Sequence, residues 1–108
     1  MKRWNIVVEP PAQQDINQAY QWLAERSLDA AERWFNTLYD TIGSLALFPE
    51  RCPFAPETGF LNAEVREIFH GRRQHKYRLL FMVSENEVHV LHVRHGARRV
   101  LGDPEAAN

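Results

Sequence analysis

Two consecutive runs of alternating side chains, residues 76–83 and 88–95, constrain the fold more than any other feature of this sequence. Successive residues of a β-strand point to opposite faces of a sheet, so a period of two indicates a half-buried strand. The polar residues 84–87 between the runs have the composition of a hairpin turn. We therefore predict two antiparallel strands joined by a tight turn. The second run places Val88, Val90, His92 and Arg94 on one face, and His89, Leu91, Val93 and His95 on the other.

Two further strands and two helices are predicted from the rest of the chain. Residues 65–69 form a third β-prone run, and residues 3–9 form a strand that two prolines end. Apolar residues at helical spacing predict a first helix over residues 12–26. A second helix should end at Phe48, because the residue before a proline is disfavoured in the α region. Its predicted buried face comprises Ala31, Trp34, Phe35, Leu38, Ile42 and Leu45.

The segment that connects the second helix to the sheet, residues 49–63, holds three prolines and one glycine and should cross irregularly. We expect Phe54, Phe60 and Leu61 to hold it against the core. The predicted order is β-α-α-β-β-β, an α+β fold in which an antiparallel helical hairpin packs on a small, mainly antiparallel sheet. With 108 residues, the chain should form a single domain over residues 1–108.

Sequence signals for export, membrane anchoring and disulfide bonding are missing. The N-terminal residues lack the apolar core and cleavage site of a signal peptide, and no apolar run approaches bilayer-spanning length. The single cysteine, Cys52, cannot form an internal disulfide. We therefore expect a cytoplasmic protein without a membrane partner, in which Cys52 is structural or incidental.

Positive charge is concentrated in the C-terminal half of the chain. Residues 65–99 hold eight of the thirteen Lys and Arg residues and all five histidines, against three acidic residues. The whole-chain net charge of −1 hides this asymmetry. A cationic sheet surface favours a polyanionic partner, either a nucleic acid or an acidic protein segment. The histidines have no acid or cysteine at ligand spacing, so we expect no metal ion and no cofactor.

The second helix closes in SLALFPERCP, and the strands that follow carry VREIF, YRLLF after a basic loop, and VHVLHVRHGARR. In this order the four stretches resemble the RelE/ParE superfamily of toxins from bacterial type II toxin–antitoxin (plasmid stabilisation) systems. The resemblance implies a growth-inhibiting toxin held inactive by a cognate antitoxin in a hetero-oligomer. An acidic, amphipathic C-terminal segment of the antitoxin would wrap across the toxin and add a helix or a strand to it. The implied target is DNA gyrase in the ParE-like branch, or mRNA on the ribosome for the mRNA interferases of the RelE-like branch.

For the RelE-like branch, the resemblance implies a catalytic set of Arg78, Arg94, His92 and His95. The two arginines resemble the strand arginines that hold the phosphate, and they stay protonated, so neither can act as the base. A histidine titrates in the range that acid–base chemistry needs. A structural interpretation remains open for the same residues. The arginines are then solvated cations or partners of Glu67 and Glu87, and the histidines are hydrogen-bonded structural residues.

The remaining cations of the basic region are predicted to bind the antitoxin or the target. They are Arg66, Arg72, Arg73, Lys76, Arg98 and Arg99. The alternative for residues 72–76 is an ordinary solvated loop.

One departure from the RelE-like pattern favours the gyrase-directed alternative. Members of that branch commonly carry an aromatic or histidine acid–base residue after the last strand, whereas no Tyr, His or Lys follows His95 here. We therefore predict a gyrase-directed toxin, with a ribosome-dependent mRNA endoribonuclease as the alternative. A general RNA-binding module is disfavoured, because the polar face of the central strand lacks aromatic residues for base stacking.

Overall fold

The computed structural model describes residues 1–72 and 76–96. The elements follow the predicted order, with a 3₁₀ turn (Pro49–Arg51) and a short helix added in the crossing segment. The strands are β1 (Asn5–Val8), β2 (Arg66–His70), β3 (Tyr77–Val83) and β4 (Glu87–His95). The helices are α1 (Pro10–Ala24), α2 (Leu28–Ser44) and α3 (Glu57–Leu61). None of the helices in this part of the chain is long and apolar enough to cross a membrane.

The strands form a four-stranded sheet in the order β1-β4-β3-β2. The pairs β2–β3 and β3–β4 are antiparallel, whereas β1 lies parallel to β4. The predicted α+β fold with a mainly antiparallel sheet is therefore confirmed. β4 lies inside the sheet, while β1 forms one edge and β2 forms the other.

The helices α1 and α2 pack on one face of the sheet, which we call the helix face. The main buried cluster joins this face to both helices through residues such as Ile16, Leu38 and Phe81. The prediction was wrong for Phe35, which is exposed, and Trp34 is only partly buried. The predicted buried residues of α2 that are confirmed are Ala31, Leu38, Ile42 and the C-cap residue Leu45.

The end of α2 also differs from the prediction. The helix ends at Ser44 and not at Phe48, because the next three residues donate i→i−3 hydrogen bonds that tighten the last turn. Arg51 then donates to the carbonyl oxygen of Leu47 at 2.6 Å. Its guanidinium also reaches the carbonyl of Phe48 at 3.1 Å, so it binds carbonyl groups beyond the helix end.

A β-bulge changes the predicted faces of β4. Leu80 is paired with His92, but its neighbour Phe81 is paired with Val90, so Leu91 is an extra residue. An extra residue in one strand reverses the faces of the sheet to which the side chains beyond it point. Val90 and His92 therefore do not share a face, contrary to the prediction, and Val90 and Val93 both join the main buried cluster.

The crossing segment covers the opposite face of the sheet, which we call the α3 face. Ala55, Val65 and Leu80 form a second buried cluster there. The Ala55 N–H donates to the Val65 carbonyl at 2.7 Å, so the small residue is drawn inward by backbone pairing. The prediction that three apolar side chains hold this segment against the core was wrong, because all three are exposed. They are Phe54, Phe60 and Leu61.

Candidate functional site

Arg78 and Arg94 occupy directly opposed positions on β3 and β4. Arg78 is almost fully buried, with 6% of its surface exposed, and Arg94 is buried as well. Both side chains lie on the α3 face, since they alternate with the core residues Leu79 and Val93. The structure thus brings together the two arginines that were predicted to hold a phosphate.

The guanidinium of Arg78 is bound by two carboxylates of the chain itself. Nη1 and Nη2 donate to Oε1 and Oε2 of Glu57 at 3.1 and 2.6 Å, and Nη1 also donates to Oε1 of Glu67 at 2.9 Å. The hydrogen bond to Glu57 is the largest cause that raises the pKa of Arg78 above its ordinary value. The structural alternative, an ion pair between Arg78 and Glu67, is therefore present. Glu87 is instead within 3.2 Å of His89.

Glu57 is the residue of this site that sequence reasoning missed. It lies in the first turn of α3 and has no exposed surface. The next residue, Thr58, uses its hydroxyl to donate to the Val65 carbonyl at 2.8 Å and to accept from the Val65 N–H at 3.0 Å. Helix α3 is thereby fixed over Arg78, and the basic sheet surface that the sequence suggested is covered at this point.

The two candidate catalytic histidines lie in different environments. His92 Nδ1 is 3.1 Å from Oδ2 of Asp15 in α1, which also accepts from the Val93 N–H at 3.0 Å. His95 is paired with Tyr77, and the two rings meet edge to face at 5.3 Å. Because Tyr77 also contacts Trp34 of α2, His95 lies on the helix face, away from Arg78 and Arg94. The four predicted catalytic residues are therefore not brought together at one site.

His70, at the end of β2, binds two threonines of α2. The hydroxyl of Thr37 donates to the Arg33 carbonyl at 2.9 Å, so its oxygen is left to accept from Nε2–H of His70 at 3.2 Å. Nδ1 then accepts from the hydroxyl of Thr41 at 3.1 Å. This pattern requires a neutral ring, and burial lowers the pKa of His70 below its ordinary value of 6.5.

We predict that His70 makes the stability of the protein depend on pH. As the pH falls, His70 binds a proton at a higher pH in the unfolded chain than in the folded chain, because the folded-state pKa is lowered from 6.5. The stabilisation that neutral His70 contributes is fully present above pH 6.5. It is lost as the pH falls through the folded-state pKa. Urea denaturation of the wild type and His70→Gln from about pH 8 to about pH 5 should show a smaller decline for the variant. Identical declines would contradict the assignment, since the other four histidines are present in both proteins.

The cations predicted to bind the antitoxin or the target differ in the contacts that they make within the chain. Arg66 donates to the carbonyl of Cys52 at 2.6 Å and its guanidinium lies 4.3 Å from the Phe54 ring centroid, so it fastens the crossing segment. Arg72 and Lys76 are exposed. Lys76 Nζ lies 4.5 Å from the ring centroid of Phe69 on β2. The predictions on Arg73, Arg98 and Arg99 lie outside the described residues.

The outer edge of β2 is paired over only part of its length. The Glu67 N–H points away from β3 and donates to the Pro53 carbonyl at 3.1 Å. Proline has no N–H, so Pro53 cannot return a bond to Glu67. By the alternation of a strand, the N–H and C=O of Phe69 also point away from β3. Within residues 1–72 and 76–96, the backbone bonds to this edge stop at Glu67, and Phe69 itself is 44% exposed.

Residues 1–72 and 76–96 contain no group of three or more His, Cys, Asp or Glu side chains arranged to hold a metal ion. Burial raises the pKa of the Cys52 thiol, which disfavours the reactive thiolate.

The chain matches the model of a known protein family. A family model described as the ParE toxin of type II toxin-antitoxin system, parDE, matches residues 6–100. No curated protein matches the chain.

Proposed function

The chain belongs to the ParE toxin family of type II toxin–antitoxin systems, and from this we propose that it arrests growth by binding DNA gyrase in the cytoplasm. The resemblance to the ParE-like branch implies this target. The burial of Arg78 beneath Glu57 is the observation that most supports a binding function over RNA cleavage.

Arg78 is almost fully buried, and three of the five N–H donors of its guanidinium already bind carboxylates of the chain. Its two terminal nitrogens already bind Glu57 and Glu67, at distances of 2.6 to 3.1 Å. An RNA phosphate would have to displace Glu57, which would leave a carboxylate buried without its cation. A ribonuclease also needs an acid and a base beside the phosphate, and His95 lies on the helix face. These observations disfavour the RelE-like alternative.

The antitoxin that the family implies is proposed to bind along the outer edge of β2 around Phe69, which makes no backbone bond to another described segment. An extended segment can pair with the outward N–H and C=O of Phe69 by adding a strand to the sheet. Acidic side chains of such a segment would reach the exposed cations Arg72 and Lys76. The exposed ring of Phe69 supplies an apolar contact at the centre of this surface.

A pair of parallel assays tests the proposed target. We expect the purified toxin to inhibit a gyrase supercoiling reaction and to leave mRNA ends unchanged on translating ribosomes. The toxin mixed with its antitoxin is the inactive control. We also expect His92→Ala and His95→Ala to retain inhibition of supercoiling, because neither histidine performs chemistry in a binding toxin. New mRNA ends without any effect on gyrase would overturn the proposal in favour of the nuclease.

A further inference from the structure

The helical hairpin carries a pocket at the groove between α1 and α2, which we call the hairpin pocket. Its volume is about 370 Å³, and all of its lining residues belong to the two helices. They are Asn17 and Tyr20 of α1 with Glu32, Phe35 and Asn36 of α2. Neither aromatic residue belongs to a buried cluster, so packing of the core does not account for them.

Three aromatic rings lie together at this groove, with Phe35 in contact with the other two. The ring centroids of Tyr20 and Phe35 are 5.9 Å apart, and the ring planes are inclined at 79°. The Tyr39 ring centroid lies 4.8 Å from that of Phe35. Phe35 and Tyr39 are both partly open to solvent. The face of an aromatic ring is electron-rich and attracts a cation placed within about 6 Å of its centroid.

The polar side chains of the hairpin pocket are available to a ligand. Glu32 is exposed, and its carboxylate makes no hydrogen bond or ion pair with residues 1–72 and 76–96. The side-chain amides of Asn17 and Asn36 make none within the same ranges. The pocket therefore combines a carboxylate and two amide oxygens with aromatic rings. Carboxylate and amide oxygens accept hydrogen bonds, so this lining suits a cationic donor.

The charges around the hairpin pocket reinforce this preference. Arg33 follows Glu32 in sequence but lies on another side of α2, because Thr37, one turn later, contacts His70 of β2. Asp29, one turn before Glu32, adds a second exposed carboxylate on the side of the pocket. The groove is therefore negatively charged, which attracts a cation and repels a phosphate.

We propose that the hairpin pocket binds the guanidinium group of an arginine, presented by a basic segment of a partner protein. The guanidinium is planar, so it can stack on the Phe35 ring while its N–H groups donate to the Glu32 carboxylate and the asparagine amides. A lysine ammonium is compact and strongly hydrated, and it lacks this planar fork of donors. The proposal does not depend on gyrase as the target, because it rests on the lining of the pocket alone.

The same pairing of arginine with an aromatic ring occurs within the chain. The guanidinium carbon of Arg26 lies 3.6 Å from the Trp22 ring centroid, and that of Arg66 lies 4.3 Å from the Phe54 ring centroid. In the hairpin pocket the rings and a carboxylate are present, but the arginine must come from another molecule.

Titration of the isotope-labelled toxin with blocked Gly-Arg-Gly peptide, followed by nuclear magnetic resonance, tests the proposal. We expect saturable shifts centred on the amides of the pocket residues. The matched peptide with citrulline, which has the shape of arginine without its charge, should not bind. Glu32→Gln and Phe35→Ala should each bind the arginine peptide about fivefold more weakly or worse. Glu64→Gln, which removes another exposed carboxylate, should bind it as the wild type does.

Urea denaturation should give similar midpoints for the variants, since both altered pocket residues lie outside the buried clusters. Absence of saturable shifts would overturn the proposal, and so would equal binding of the citrulline or lysine peptide. Equal losses in Glu32→Gln and Glu64→Gln would reduce the effect to general charge attraction. A toxin dimer that Phe35→Ala dissociates would place a second copy of the chain in the groove and would also overturn the proposal. The gyrase assay is unaffected by any of these results.

Discussion

Replacing Glu57 by alanine is expected to lower the free energy of unfolding by about 3–5 kcal/mol, the range for removing one partner of a buried ion pair. Glu57 is fully buried, and both of its carboxylate oxygens accept hydrogen bonds from Arg78. The variant leaves Arg78 buried with one fewer carboxylate and releases α3 from the sheet. Domains of this size have a total stability of about 5–15 kcal/mol, so the loss should be obvious in urea denaturation followed by circular dichroism.

Two other glutamates provide matched controls. Glu67→Ala should cost only about 1 kcal/mol, because Arg78 keeps its two bonds to Glu57. Glu64 is exposed, and Glu64→Ala should change stability by no more than about 0.5 kcal/mol. A Glu57→Ala protein as stable as Glu64→Ala would mean that the ion pair does not fasten α3, and the argument against phosphate binding at Arg78 would be lost.

Replacing Phe69 by alanine is expected to weaken antitoxin binding about tenfold through loss of the ring, and replacing it by proline about fivefold more. The difference isolates the backbone, because only proline removes the outward N–H that an added strand would use. The ladder between β2 and β3 is unaffected, since the Phe69 N–H points away from β3. Isothermal titration of each variant with the cognate antitoxin measures both effects.

The fold of both variants must be compared before their affinities are interpreted. We expect similar denaturation midpoints for the alanine and proline variants, since proline is tolerated where an edge-strand N–H faces solvent. Equal affinities of the two folded variants would show that the antitoxin does not pair with this edge. The antitoxin would then bind Phe69 by its side chain alone or bind elsewhere.

Local sequence patterns were sufficient to predict most elements of the fold. Each strand and helix buries one face, so the periods of two and 3.6 residues are visible in the sequence. The bulge at Leu91 was not predictable, because nothing in the local pattern distinguishes it from regular alternation. The parallel pairing of β1 with β4 joins residues such as Val8 and Val90, which no local signal connects.

The candidate site was predicted less completely than the fold. The strand positions of Arg78 and Arg94 followed from alternation, and the possible partner Glu67 is close in sequence. Glu57 gave no signal, because it lies in a proline-rich segment without periodicity and its burial depends on a partner in a distant strand. The left-handed conformation of Phe48 was not predictable either, since the proline that follows predicts the end of a helix but not a left-handed turn.

The interior position of β4 has a consequence for how the toxin is made. β4 separates β1 from β3, although it is the last strand of the described chain. A nascent polypeptide that stops before Glu87 has no partner for β1 and lacks the core residues Val88, Val90 and Val93. Pairing between such distant residues forms late in folding. An incomplete translation product should therefore be harmless, and toxicity should begin only after β4 has emerged from the ribosome.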